Sequence, residues 1–417
     1  MSILTDLTRM WLTRSTKPFT FTNEYDQTLP YRDCENLGLY VHIPFCRQIC
    51  SFCPYCKQVY DPEVCSRYID ALLEEIHLVG SQNREKKVVT SLYFGGGTPA
   101  LAADRLGEII AALEEHFVIT QGIGVELHPD NVTPSLLRTL QKAGVTKLSI
   151  GIQSFQSKYQ SVLGRKPVDS RRLAQALAAV PFETVSMDFI FALPGQTFAD
   201  LKADVDAAFA CGANHIALYP LIDFTFTANT LPAMAKGEKR ALLDAITGYC
   251  LDLGCTRSSI WTFAKSPQAG YSSMTRDNFL GFGCSATTLL QGQFKVNTFS
   301  VEEYCKRIHA QTLPTSLTLR FSLRQRMVYY LFWTAYSTRV DGRDFQRFFG
   351  VPLKKMYGLE LSIARLLGLV TEENGVYTMT LKGAFYYHHY EHFYTLSYID
   401  KMWGLMAREA FPQGMEL

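Results

Sequence analysis

Four cysteines of this 417-residue chain crowd into residues 46–56, in the run Cys46-Arg47-Gln48-Ile49-Cys50-Ser51-Phe52-Cys53-Pro54-Tyr55-Cys56. The first three are spaced C-x3-C-x2-C. Thiolates are the natural ligands of iron–sulfur clusters. Three of them on one tight loop can hold three corners of a [4Fe–4S] cubane and leave the fourth iron with open positions. An open iron separates a cluster that binds and activates a small molecule from one that only relays electrons. Four cysteines could instead bind zinc tetrahedrally. Zinc sites commonly pair two C-x2-C knuckles far apart in sequence, whereas here every sulfur lies on one loop. The cubane is the expected centre, with Cys46, Cys50 and Cys53 as ligands. Cys56 as a fourth ligand would close the open iron. It is the candidate for redox or substrate chemistry beside the cluster, weighed against an inert local role.

Three further features suit a small ligand at that iron. Phe94-Gly95-Gly96-Gly97-Thr98-Pro99 is a glycine run behind a strand-like segment. Glycines let the backbone approach a bound group, and its N–H and C=O can meet amino and carboxylate groups. Glu126 ends another strand-like run. A carboxylate at the C-terminal end of a β/α-barrel strand lies on the functional face; the bland alternative is a solvated rim residue. Asp188 interrupts the apolar run Met187-Asp188-Phe189-Ile190-Phe191. Burying a carboxylate unpaired is costly, so it needs hydrogen-bonding partners such as ribose hydroxyls. A ligand suited to that open iron is S-adenosylmethionine (SAM), whose amino and carboxylate groups can chelate it. One electron then breaks a carbon–sulfur bond and yields a 5′-deoxyadenosyl radical, which abstracts hydrogen or adds to a substrate.

The elements that must position these groups alternate along the chain. Strands are expected at residues 37–42, 88–94, 124–127, 146–152, 184–191 and 215–221. Helices are expected at 62–79, 104–117, from Pro134, around Ser157 and Arg171, at 198–210 and near 239–253. Asp61 before Pro62 is an N-cap with proline in the first turn. Repeated strand–helix units argue for parallel strands with right-handed crossovers, covered on both sides by helices. The fold class is therefore α/β, a partial (β/α)6 TIM-like barrel or an open doubly wound sheet, over residues 36–300 after an N-terminal arm at 1–35. Residues 301–383 read as a smaller, mainly helical, winged-helix-like domain, with helices at 319–336, 341–350 and 354–367 and a hairpin at Asn374-Gly375. Residues 384–417 read as an aromatic C-terminal helix.

Tyr40-Val41-His42-Ile43-Pro44-Phe45-Cys46 and the cysteine loop resemble the HemN-like branch of the radical SAM superfamily. That branch includes anaerobic coproporphyrinogen III oxidases, haem chaperones, haem-degrading methyltransferases, and C-methyltransferases and cyclopropanases. The resemblance runs through residue 290 and favours the partial barrel. It implies SAM contacts from Tyr40, Gly95, Gly96, Gly97, Thr98, Glu126, Gln153, Arg165 and Asp188. An arginine such as Arg165 can grip a carboxylate bidentately. A second SAM is implied around Gln268, Gly283 and Ala286, although the glutamine that precedes the Gly-Tyr pair in porphyrin-oxidising members is replaced by Ala269. The Cys53-Pro54-Tyr55-Cys56 spacing also departs from those members, as does the absence of a Tyr-Thr-Ser-Tyr-Pro-type segment in residues 1–35. The resemblance accordingly implies C-methylation or cyclopropanation at an sp² carbon. Radical decarboxylation of the coproporphyrinogen III oxidase type and haem carriage are the alternatives.

Composition bounds the rest. A net charge of +2 gives no field for nucleic acid or an anionic surface. No apolar run is long enough to cross a bilayer, and eleven cysteines without an export signal argue against a disulfide framework. The expectation is a cytoplasmic enzyme with a small tetrapyrrole or aromatic substrate and an electron donor such as flavodoxin or ferredoxin. His388, His389 and His392, interleaved with Tyr387, Tyr390 and Phe393, could ligate haem or cover a flat substrate. At helical spacing such residues more often mark a packed face.

Overall fold

The computed structural model describes residues 3–23, 27–229, 231–232, 234–265 and 277–417. Apolar runs build the central sheet as expected. Strands β1 (Leu37–Ile43), β2 (Leu92–Gly96), β3 (Ile123–Leu127), β4 (Lys147–Gln153), β5 (Thr184–Phe191) and β6 (His215–Pro220) lie parallel and side by side in that order. A seventh parallel strand, β7 (Asn278–Phe282), pairs with the outer edge of β1. Among the described residues the array does not close. Beyond β6 runs an antiparallel strand, Thr262–Ala264. Beyond β7 an antiparallel meander passes through Thr287–Leu290, Gln293–Asn297 and Thr315–Arg320. It then takes in Thr20–Thr22 and Gly414–Glu416. The molecule is a partial TIM-like barrel, and both ends of the chain are woven into its sheet.

Local signals explain the crossovers. Asp61 caps helix Pro62–Gly80 by accepting from Val64 N at 2.9 Å. Thr133 caps Pro134–Lys142, and Thr197 with Asp200 forms a capping box on Phe198–Ala210. Helical faces and strands share one core that includes Phe94, Leu148, Phe189 and Leu201, all fully buried. The expected strand at 88–94 is two strands. Lys87–Val89 pairs with Phe117–Ile119, and Thr90 N turns to bond Leu37 O at 2.8 Å before β2 begins.

The C-terminal part is mainly helical. Leu323–Tyr336, Gly342–Phe349 and Leu353–Leu366 pack with the hairpin Val370–Glu373/Val376–Met379 and the short strand Arg339–Asp341. Asn374 and Gly375 both have positive φ, the turn that a two-residue hairpin demands. The aromatic tail is helix Leu381–Tyr394, a π-helical turn Thr395–Ile399 and helix Asp400–Met406. Residues 315–320, of which 319 and 320 were expected to be helical, are instead a sheet strand. Among the described residues no helix is long and apolar enough to cross a membrane.

Candidate active site

The C-terminal ends of the parallel strands open into a cavity of about 1760 Å³, roofed by the helical C-terminal part and by helix Ile3–Thr13. Cys46, Cys50, Cys53 and Cys56 all line it. The cysteine loop is pinned at its base. Cys46 closes the short strand Phe45–Cys46, which pairs in parallel with Gln58–Val59, and Tyr60 N donates to Cys46 O at 2.9 Å. Lys57 Nζ donates to the carbonyls of Cys53 and Tyr55. At the loop's far end Tyr55 packs on Trp403, ring centroids 5.7 Å apart. All three proposed ligand thiols are free and partly exposed. Burial pushes the Cys46 thiol up to about 11, and a metal would have to displace that proton.

The glycine run crosses behind this loop. Gly97 N donates to Ile43 O and Thr98 N to Phe45 O, at 2.8 and 2.7 Å. A Cβ on Gly97 would stand 2.5 Å from Phe45 O, so only glycine allows this approach. Thr98 Oγ1 lies 3.9 Å from Cys46 Sγ.

Glu126, expected at a strand end, and Asp188, expected within an apolar strand, both face the cavity with donors in place. Tyr93 OH and Gly96 N donate to Glu126 at 2.9 and 3.1 Å. Burial pushes this carboxyl up to about 7, against the Tyr93 bond and with nearby Asp188 adding to the rise. Ser149 and Ser186 hydroxyls donate to Asp188 at 2.6 and 3.2 Å, and burial lifts it to about 6. Gln153 ends β4 with φ +69°, a conformation costly for a non-glycine residue. Both Gln153 and Arg165 line the cavity, and burial lowers the Arg165 guanidinium, with Cys50 and Asp130 opposing. Tyr40 stacks on Tyr93 at 6.2 Å and lies 3.1 Å from His42 Nδ1. His42 Nε2 is 3.0 Å from the Cys56 carbonyl, and burial drops its pKa to about 4. A carbonyl only accepts, so Nε2 carries the proton and Nδ1 accepts from Tyr40.

Cys56 donates to Phe299 O at 3.1 Å, and its sulfur is 3.9 Å from Cys284 Sγ. The expected second-SAM segment sits behind this wall. Gly283 has φ +96°, its N donates to Glu75 at 2.6 Å, and a Cβ there would meet Tyr68 OH at 2.4 Å. Ala286 is 1% exposed, and Ser285 and Thr287 line the cavity in its place. Gln268 lies outside the described residues.

The aromatic tail, expected to ligate haem or cover a flat substrate, supplies Tyr387, Tyr390 and Tyr394 to the opposite wall, whereas sequence reasoning missed Glu391 and the rings of helix Leu323–Tyr336. Tyr329, Phe332, Trp333, Tyr394 and Trp403 line the cavity there, together with Glu391. The signal was visible only as aromatic density. The candidate haem ligand His388 points elsewhere. It is 3% exposed and packs on Phe191 and Trp261 at 6.0 and 5.4 Å, and burial pushes its pKa down to about 3.

Residues 40–208 match the model of the Radical SAM superfamily. The haem chaperone HemW of Lactococcus lactis is 31% identical over 282 residues, covering 64% of this chain and 73% of that protein. The oxygen-independent coproporphyrinogen III oxidase of Pseudomonas aeruginosa is 26% identical over 316 residues, covering 67% of this chain and 68% of that one. The solved structure of coproporphyrinogen III oxidase (HemN) from Escherichia coli superposes with a TM-score of 0.75 at 21% identity, over 88% of this chain and 93% of that chain. The free cysteine triad on one pinned loop fits a cluster, and the polar groups on the adjoining strand ends fit SAM. On these residues, this fold and these relatives, the chain belongs to the HemN-like family of radical SAM proteins, whose members bind a [4Fe–4S] cluster and SAM.

Proposed function

We propose that this protein is a radical enzyme that takes a tetrapyrrole substrate and removes hydrogen from it. The carrying observation is the single cavity that joins the Cys46–Cys50–Cys53 loop to the aromatic C-terminal wall. When bound, the cluster and SAM supply a 5′-deoxyadenosyl radical. The chain's own residues bind and orient. Cys46, Cys50 and Cys53 would hold the cluster. Gly96, Gly97 and Thr98 would present backbone to the methionine part, with Glu126 available to its amino group and Arg165 to its carboxylate. Asp188 would accept from the ribose hydroxyls. The Tyr55–Trp403 contact ties the loop to the C-terminal helices. Cys56 is proposed as a thiol of the cavity wall, in reach of substrate chemistry without being a cluster ligand.

The names of the relatives favour oxidation or haem handling over the methyl transfer that the resemblance alone implied. Reduced, anaerobically reconstituted protein given methyl-labelled SAM and coproporphyrinogen III tests this. Substrate-dependent 5′-deoxyadenosine with no label in the tetrapyrrole is the expected result. Labelled tetrapyrrole with S-adenosylhomocysteine would replace oxidation with methylation, and no deoxyadenosine would defeat both.

Haem carriage is the second reading, favoured by the HemW relative. A haem titration separates it. A Soret shift that survives loss of the cluster supports carriage, and no shift removes it.

A further inference from the structure

The buried carboxylates of this protein differ in how they are satisfied. Glu75 accepts from Gly283 N, Asn297 Nδ2 and Tyr304 OH. Glu126 and Asp188 each accept from two donors. Glu391, on helix Leu381–Tyr394, has far less. Its Oε1 takes one long bond, from Thr395 Oγ1 at 3.3 Å. Its Oε2 is shut off from solvent with no hydrogen-bond partner among the described residues. A carboxyl in that state is expensive to keep.

Its position suggests what completes it. Glu391 lines the cavity on the wall facing the strand ends, beside Tyr387, Tyr390 and Tyr394. Phe332 sits among those three rings, with its centroid 5.2, 6.3 and 4.5 Å from theirs. One turn after Glu391 the helix widens into the π-turn Thr395–Ile399, a device often found at functional sites. An aromatic wall that holds an unmet acceptor among its rings suits a ring system that brings its own donor. The charges around Glu391 choose between donors. Lys239 acts on it at longer range, His388 and His392 share its helix, and Asp223 faces Lys239 and His392. A lysine already near the carboxyl disfavours a second cation and leaves a neutral N–H as the better match.

We infer that Glu391 anchors the substrate by accepting hydrogen bonds from the pyrrole N–H groups of a reduced, puckered tetrapyrrole. This rests on the tetrapyrrole reading above. Glu391 would also discriminate oxidation state. A porphyrinogen presents four N–H groups on saturated bridges that can turn to one face. The corresponding porphyrin holds its remaining N–H groups in the ring plane.

The test is binding to the cluster-loaded, SAM-bound protein, anaerobically and in the dark, with coproporphyrinogen III and coproporphyrin III as paired probes of equal carboxylate count. Wild type should prefer the porphyrinogen. Glu391→Leu should weaken the porphyrinogen by about tenfold, the scale of one hydrogen bond to a carboxylate, and leave the porphyrin within about twofold. Glu391→Gln keeps a carbonyl acceptor and should fall between. Circular dichroism and thermal unfolding of both variants report whether the fold survives. If Leu does not fold, the Gln variant still decides by its porphyrinogen-to-porphyrin ratio. Equal weakening of both probes, or of neither, overturns the inference while the tetrapyrrole reading stands. Failure of wild type to bind either probe overturns both.

Discussion

The strand-end rim and the C-terminal wall enclose the same cavity but are built on opposite terms. On the rim the polar groups are answered by the protein itself. Glu126 and Asp188 have donors in place, His42 has both ring nitrogens engaged, and the glycine run is locked to the cysteine loop by two backbone bonds. The wall is aromatic, and its acid Glu391 is left mostly unanswered. The rim is preorganised for partners every member of the family binds. The wall waits for a ligand that supplies the missing donor, and that is where members sharing one rim can diverge in substrate.

The sharpest way to break this contrast is at the cysteine loop. Cys50→Ala should lose iron and sulfide and abolish SAM cleavage, while Cys56→Ala should keep both. Metal analysis beside a 5′-deoxyadenosine assay checks this, and equal loss in the two variants would erase the distinction between ligand and neighbour. Next comes Gly97→Ala, which drives a methyl into the Phe45 backbone. It should cost about 1–3 kcal/mol of stability and separate the glycine run from the loop, read by denaturant unfolding and by SAM affinity. Asp188→Asn should weaken SAM binding roughly 10- to 100-fold, as expected for losing a charged hydrogen bond, measured by equilibrium dialysis with unfolding unchanged.

An effect confined to a pH window concerns Glu75, which holds Gly283 from behind the rim. Burial raises its carboxyl from 4.5 to about 7, against its three donors. The folded protein therefore binds this proton more tightly than the unfolded chain does. The group's penalty is absent below pH 4.5, grows as pH rises and is complete above about 7, amounting to about 3 kcal/mol. Glu75→Gln should flatten the fall in stability across that window. It should also lose about 1–3 kcal/mol at pH 5, because an amide cannot accept all three bonds. Urea unfolding of both proteins at pH 5 and 8 measures the difference. An unchanged slope would mean that Glu75 titrates normally.

How much of this was legible in the sequence follows from the range of the interactions. Local signals were readable. Asp61, Thr133 and Thr197 announce their helices, and strands Thr184–Phe191 and His215–Pro220 are continuous apolar runs. The cysteine spacing and the glycine run also carry their chemistry in a few adjacent residues. The meander beyond β7 was not readable. Thr288, Lys295 and Thr318 are nearly buried in it, with Lys295 Nζ 3.4 Å from Thr318 Oγ1, so polar residues mask the alternation that marks a strand. Strand Thr315–Arg320 partly dissolved into the helix that follows. The aromatic tail showed helical spacing without showing which face meets what. His388 turned toward Phe191 and Trp261, while Glu391, three residues on, reached the cavity.

In the proposed site three cysteines, Cys46, Cys50 and Cys53, hold the cluster and leave one iron for SAM. Electron paramagnetic resonance of the dithionite-reduced cluster, with and without SAM, tests that arrangement most directly in wild type and Cys56→Ala. The account predicts a reduced-cluster signal that SAM alters in both proteins. A signal indifferent to SAM, or a Cys56→Ala variant that cannot assemble the cluster, would contradict it.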